Sequence, residues 1–333
     1  MKAFLIDRYA KGGALRLAEV PEPELRDNDV MVEIHAASVN VLDAKIRDGE
    51  FKFILPYRLP LILGNDVAGT VVRVGRNVRR FKAGDAVYAR PAQDRIGTFA
   101  QYIAIDAADV APKPANLTME EAASIPLVAL TAWQVLVERA RLEKGQKILI
   151  HAGSGGVGTI AIQLARHLGA HVATTTSTGN IELVRSLGAD VVIDYRNEKF
   201  EEVLEGYDVV LNSLGKDTLE KSLEVLKPGG KLISISGPPD PDFARQNGSG
   251  WPLRQIMRLM SFGIRSKARR RGVDYSFLFM TANGDQLARI GALIEAGAIR
   301  PVIDRVFPFA QTNEALAHVE TGRAKGKVVI AMK

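Results

Sequence analysis

The stretch HAGSGGVGTIAIQLARHLGA, residues 151–170, decides the fold. Before it stands KILI, an apolar run with the β-branched character of a buried strand. After its glycines comes a helix-like segment that ends at Gly169. Gly153, Gly155 and Gly158 are spaced G-x-G-x-x-G, with Gly156 beside the middle one. At a strand-to-helix turn each glycine has a distinct use. Gly153 permits the tight turn, Gly155 lets the backbone approach a pyrophosphate, and Gly158 lets the helix lie close to the strand. Ser154, Gly156 and Val157 complete the turn. The helix start offers unpaired N–H groups and a partial positive charge to phosphates. The segment predicts dinucleotide binding.

The next strand selects the dinucleotide. HVATTTSTGN, residues 171–180, contains no acid. A site for the unphosphorylated nucleotide usually carries Asp or Glu there, bonded to the ribose hydroxyls. Here stand Thr174, Thr175, Thr176, Ser177 and Thr178, which accommodate a 2′-phosphate that a carboxylate would repel. NADP(H) is expected over NAD(H). Gly179 occupies the place where a cation would help. Arg196 or Tyr195, from VVIDYR, reaches in from the side; Tyr195 also reads as an ordinary strand-end tyrosine.

Outward from this unit the pattern divides the chain. Its 333 residues exceed what one core usually serves, so two domains are expected. Residues 1 to about 110 are β-rich: MVEIHAASV, GTVVRVG, DAVYAR and FAQYIAI are short runs broken by Gly, Pro and Asp. TMEEAASIPLVALTAWQVLVERA is helical, with Thr118 and Glu121 as a capping box. Strands and helices then alternate to KLISISG, which argues for a parallel sheet covered on both faces. An excursion over residues 238–280 interrupts the alternation. A helix, a strand pair around RPVIDRVFPF, a helix and a last strand, KVVIAMK, follow.

Composition is that of a globular protein, 47% hydrophobic and 25% charged, and no apolar run is long enough to span a membrane. The N-terminus is charged from residue 2 and has no apolar signal core, so a cytoplasmic location is expected. The absence of cysteine excludes disulfides, thiolate metal sites and a cysteine nucleophile. Net charge is +6, and the densest basic run is RSKARRRG, residues 265–272. It reads first as a solvated helix end, with anionic lipid, nucleic acid or a phosphate group as alternative contacts. No specific nucleic-acid partner is expected.

The pieces AASVNVLDAKIRDGEF, LGNDVAGTVVRVG, GTFAQYIA, AGSGGVGTIAIQLAR, LVRSLGADVVIDYR, LKPGGKLISISG and GRAKGKVVI carry a resemblance over the whole chain. The chain resembles the zinc-independent medium-chain dehydrogenase/reductases, in the quinone oxidoreductase and alkenal/enone reductase branch. The resemblance implies an α/β fold with a GroES-like β domain (1–126, completed by 281–333) and a Rossmann doubly wound parallel sheet domain (127–280). Between them the active site would lie in a cleft. The excursion resembles that of the larger mitochondrial and plant members.

Zinc members of that superfamily hold their metal with a Cys in the segment matching SVNVLD and a His in a G-H-E motif. This chain has Ser38 and Asn40 in the first and Asn65 between Gly64 and Asp66 in the second. Its histidines, His35, His151, His167, His171 and His318, show no ligand-pair spacing, so no metal is expected. The resemblance places Asn40, Asp43 and Thr131 near the nicotinamide, and Ser236, Gly237, Phe279 and Lys327 along the cofactor. Lys45 matches a lysine of enone reductases; it also reads as a surface lysine paired with Asp43 or Asp48. Tyr57, with Phe51 and Phe53, would wall the substrate pocket or give a proton. The implied activity is hydride transfer from NADPH to a quinone or an α,β-unsaturated carbonyl, by a homodimer. A non-catalytic NADPH-binding sensor and an enoyl-thioester reductase stand as alternatives.

Overall fold

The computed structural model describes residues 1–52, 56–246, 248 and 250–332. The chain divides into two compact units, Met1–Leu130 with Thr281–Lys333, and Thr131–Met280.

The second unit holds a six-stranded, all-parallel sheet. Its strands in chain order are β1 Lys147–Ile150, β2 His171–Thr176, β3 Val191–Asp194, β4 Tyr207–Asn212, β5 Leu226–Ser234 and β6 Asp274–Phe277. Their spatial order is β3-β2-β1-β4-β5-β6, the doubly wound order with its switch point between β1 and β4. The strands read as apolar runs because both faces are covered. Leu149, Ala173, Ile193, Val210 and Leu232 share one core with Leu219, Leu223, Ile264 and Ala268 from the covering helices.

The excursion differs from its sequence reading. Its second half carries β6, and helix Phe262–Arg270 turns Ile264 and Ala268 into the sheet core. It therefore completes the sheet rather than interrupting it. Only two residues of that basic helix are buried, too few to show an apolar period in so charged a run.

In the first unit the long strand Asp29–Val39 pairs antiparallel with Asp66–Val74, Tyr102–Asp106 and Lys327–Ala331. A register shift between Ile34 and Ala36 changes which face its side chains take. Val30, Val32 and Ile34 enter one apolar cluster, and Ala37 and Val39 enter another with Phe4, Phe99 and Leu316. The Thr118 capping box forms as expected, with Glu121 N–H donating to Thr118 Oγ1 at 3.2 Å and Thr118 N–H to Glu121 Oε2 at 2.9 Å. Where a strand pair was expected around Arg305, one strand forms, Ile303–Pro308, because its partner is the distant Lys327–Ala331.

Candidate functional site

The expected cofactor residues of the second unit, Thr131 apart, gather at the carboxyl ends of its strands. After β1 the chain turns through Ala152, whose φ of +52° is the left-handed conformation of this turn. The positive φ falls on Ala152, and what requires a glycine at 153 is the close approach of β2. A Cβ on Gly153 would stand 2.0 Å from Thr174 Oγ1, because Thr174 on β2 donates across to Ile150 O at 2.7 Å. Gly158 would place a Cβ 2.4 Å from Ala152 O and 2.6 Å from Gly153 Cα, so helix Gly156–His167 sits directly on the turn. A Cβ on Gly155, by contrast, would meet only Ala152 O, at 3.3 Å. The open side of the cradle is thus at Gly155, the helix N-cap, ahead of the first-turn N–H groups of Gly156, Val157 and Gly158.

The ends of the other strands complete the rim. Ser154 Oγ bonds Thr176 Oγ1 at 3.0 Å and Asn180 Nδ2 at 3.1 Å, and Asn180 also donates to Ser177 Oγ. After β5, Ser234 Oγ accepts from Gly237 N–H at 2.7 Å, and Ser236 Oγ donates to Leu214 O at 2.6 Å. Phe279 follows β6 and lies tilted against Phe243, 6.2 Å between ring centroids. Thr131 is buried in helix Pro126–Trp133.

Two residues that sequence reasoning missed belong to this rim. Asn212 ends β4, beside the switch point. Its Oδ1 accepts from Ser234 and Ser236, while its buried Nδ2 has no hydrogen-bond partner. A buried amide donor left unmatched is costly unless something arrives to accept it. Placing VVLN next to KILI in the parallel order would have found it. The second is Asp194, which β3 brings level with Thr176. No acid lies on β2, yet this carboxylate accepts from Thr178 Oγ1 at 2.6 Å, Asn197 Nδ2 at 2.7 Å and Arg196 N–H at 3.2 Å. The Thr178 hydroxyl, with those other donors, holds it below the usual carboxylate range. Tyr195 is 60% exposed and is tied to the rim by its backbone, which donates to Thr176 O at 3.1 Å.

The first unit contains a buried polar network. Helix Val41–Arg47 starts at Asn40, whose N–H donates to Asp43 Oδ2 at 2.7 Å. Asn65 Nδ2 donates to the other Asp43 oxygen at 2.7 Å, and Arg90 donates to Asn65 Oδ1 at 3.3 Å. Asp66 is the hub: it accepts from Ser38 Oγ at 2.6 Å, Asn40 Nδ2 at 2.8 Å and Leu127 N–H at 2.7 Å. Lys327, 5% exposed, donates to Asn40 Oδ1, to Val39 O at 3.2 Å and to Asp66 at 3.4 Å. Pairing of Val328 with Val39 brings this lysine to Asn40. Sequence reading chose Asn40, Asp43 and Lys327 singly and missed what joins them.

Ser38, Asn40 and Asn65, the residues in the zinc-ligand places of the resemblance, all meet in this network. An ammonium stands among them, bonded to Asn40 and Asp66. Carboxamides and a hydroxyl around a fixed cation do not suit a dication. Among the described residues no three His, Cys, Asp or Glu side chains are grouped to hold a metal ion.

Burial pushes the Asp43 carboxyl up to about 6, against the bonds from Asn40 and Asn65 that favour its charged form. Folding thus favours the protonated acid. Its contribution is present below the unfolded carboxylate value near 4 and is lost as pH rises through about 6. Asp43→Asn is expected to flatten the stability profile across that window by roughly 1–3 kcal/mol. Urea denaturation of both proteins at steps from pH 4.5 to 7 would measure it; parallel profiles would refute the assignment.

Lys45 and Tyr57 lie apart from the network's bonds. Lys45 Nζ is 3.4 Å from Glu50 Oε2, with its side chain partly exposed, so its partner is Glu50 and not Asp43 or Asp48. Tyr57 and Phe51 pack on the apolar cluster around Phe4 and Ile46, and burial pushes the Tyr57 phenol up to about 12. Phe53 lies outside the described residues.

Two family models match the chain. Residues 26–115 match the alcohol dehydrogenase GroES-like domain, and residues 187–330 match the zinc-binding dehydrogenase family. The chain is 36% identical to NAD(P)H oxidoreductase RTN4IP1, mitochondrial, of Danio rerio, covering 100% of this chain and 91% of that protein. Identity is also 36% to the NADPH-dependent alkenal/one oxidoreductase, chloroplastic, of Arabidopsis thaliana, over 99% of this chain and 79% of the relative. Among solved structures, the quinone oxidoreductase from Coxiella burnetii superposes with a TM-score of 0.88 at 30% identity, covering 100% of this chain and 99% of that one.

Proposed function

The chain belongs to the medium-chain dehydrogenase/reductase family, in its quinone oxidoreductase and alkenal/enone reductase branch, and from that premise we propose that it is an NADPH-dependent reductase of quinones or of the C=C bond of α,β-unsaturated ketones and aldehydes. The observation that carries the reading is the cradle at the carboxyl ends of β1 and β4. Two of its glycines admit no Cβ, a Cβ on its third would meet only Ala152 O, and Asn212 holds an unmatched donor beside it. A dinucleotide fits that chemistry: phosphates take the N–H groups of the turn at 153–158, and an acceptor atom takes Asn212 Nδ2.

When bound, the nicotinamide supplies a hydride to the electrophilic carbon of the acceptor. The chain's own work is to orient the reactants and to stabilise the oxyanion that develops on the acceptor. In this reading Lys45 or Tyr57 donates to that oxygen. Tyr57 keeps its proton across the physiological range, as a donor must. The Asn40–Asp66–Lys327 network holds helix Val41–Arg47, and so Lys45, in place. The same reading includes a homodimer.

Preference for the phosphorylated nucleotide rests on the hydroxyl-lined end of β2 and on Asp194 being engaged by Thr178, Asn197 and Arg196 N–H. Ser177→Asp adds a second, unengaged carboxylate at that end. It is expected to lower the NADPH-over-NADH binding ratio by about tenfold or more. Titration of both nucleotides against both proteins tests this. Wild-type protein that binds NADH as tightly as NADPH would refute the preference, and absence of turnover with a panel of quinones and enones would refute the reductase.

A further inference from the structure

The basic run singled out in the sequence finds no use in the reductase reading. It belongs to a two-helix surface, Trp251–Met260 followed by Phe262–Arg270, joined at Ser261. No Asp or Glu occurs between Gly250 and Gly272, whereas Arg254, Arg258, Arg265, Lys267, Arg269, Arg270 and Arg271 all do.

The apolar side chains there exceed what the fold covers. On a helix of 3.6 residues per turn, Pro252, Leu253, Ile256, Met257, Leu259 and Met260 fall on one half of the circumference, and Arg254, Gln255 and Arg258 on the other. The unit buries Met257 alone of these. Leu259 is 76% exposed, Trp251 70% and Phe262 66%, with Ile256 and Met260 also exposed. In the second helix Ile264 and Ala268 face the core. Phe262, Arg265 and Arg269 follow one another at i, i+3 and i+7 and share an outward ridge. Lys267 is held by Glu220 at 2.6 Å, while Arg258, Arg269 and Arg270 are exposed.

Large aliphatic and aromatic side chains next to an acid-free set of arginines define a charge problem that limits the partner. A two-fold contact whose axis passed through this patch would set it against itself, with the arginines of the two helices facing their own copies. An anionic bilayer surface takes both components. Its acyl boundary accepts the leucine, methionine and aromatic groups, and its phosphates accept the guanidinium groups.

We propose that the surface formed by Trp251–Met260 and Phe262–Arg270 docks this protein on anionic phospholipid membranes. Co-sedimentation of the full chain with vesicles tests it, comparing phosphatidylcholine alone with phosphatidylcholine containing about 30% phosphatidylglycerol. The expected result is binding to the anionic vesicles at least about tenfold stronger than to the neutral ones, weakened when salt is raised to about 0.5 M. Leu259→Asp and the triple variant Arg258→Gln/Arg269→Gln/Arg270→Gln should each lose about tenfold or more while keeping the wild-type melting temperature, since these groups are exposed. Failure of the wild type to sediment with anionic vesicles overturns the proposal. So does equal binding to neutral vesicles that the arginine variant retains. A third overturning result is Leu259→Asp converting a dimer to a monomer in light scattering, which would make the patch an interface between copies.

Discussion

Gly158→Val is expected to weaken dinucleotide binding about a hundredfold or more, roughly 3 kcal/mol. The reason is geometric. Helix Gly156–His167 rests so closely on the turn after β1 that even a methyl group would stand 2.4 Å from Ala152 O and 2.6 Å from Gly153 Cα. Both are backbone atoms, which cannot swing aside like a side chain. Valine must push the helix start off the turn, and the N–H groups that face the phosphates move with it. The effect on folding is expected to be smaller than the effect on binding, because the rest of the helix keeps Ile160, Ile162 and Leu164 in the core. Fluorescence titration with NADPH, alongside a thermal melt, separates the two. Gly155→Ala is the control: its Cβ meets only Ala152 O at 3.3 Å, so the fold should tolerate it. A Gly158→Val protein that binds NADPH like the wild type would show that this turn does not carry the phosphates.

Lys327→Met is expected to destabilise the first unit by about 3–5 kcal/mol. Methionine replaces the stem but not the amine, and Asn40 Oδ1, Val39 O and Asp66 Oδ2 each lose a donor. Asp66 is fully buried and would be left with only Ser38, Asn40 and the Leu127 N–H as donors. Burial pulls the Lys327 ammonium below the ordinary lysine range, while Asp66 and Asp43 pull the other way. Adding Asp66→Asn should recover part of the loss, since the two changes share one interaction and are not additive. Denaturation midpoints of the two single variants and the double variant test this; strictly additive losses would show that the pair is not coupled.

Much of the architecture was legible in the residues because it rests on local rules. The apolar, β-branched runs separated by helices announced a parallel sheet, and the glycine spacing announced its first turn. Thr118 and Glu121, three apart, announced a helix start that forms as written. Elements failed to read correctly where a partner lay far off. The strand at Ile303–Pro308 looked like half of a hairpin because its true neighbour, Lys327–Ala331, cannot be inferred from its own sequence. Strand β6 was hidden inside a basic excursion because only its pairing with β5, not its composition, makes it a strand of the sheet.

The candidate site divides in the same way. The sequence alone determined that a glycine turn would follow β1 and that β2 would end in hydroxyls, since those properties depend on residue type and near spacing. Only the tertiary structure decided what stands beside them. Asp194 reaches Thr178 because β3 lies next to β2 in register, and Lys327 reaches Asn40, 287 positions away, because the last strand returns to Asp29–Val39. Periodicity encodes which face a side chain takes, but it carries no information about which distant segment will supply the hydrogen bond that a buried charge requires.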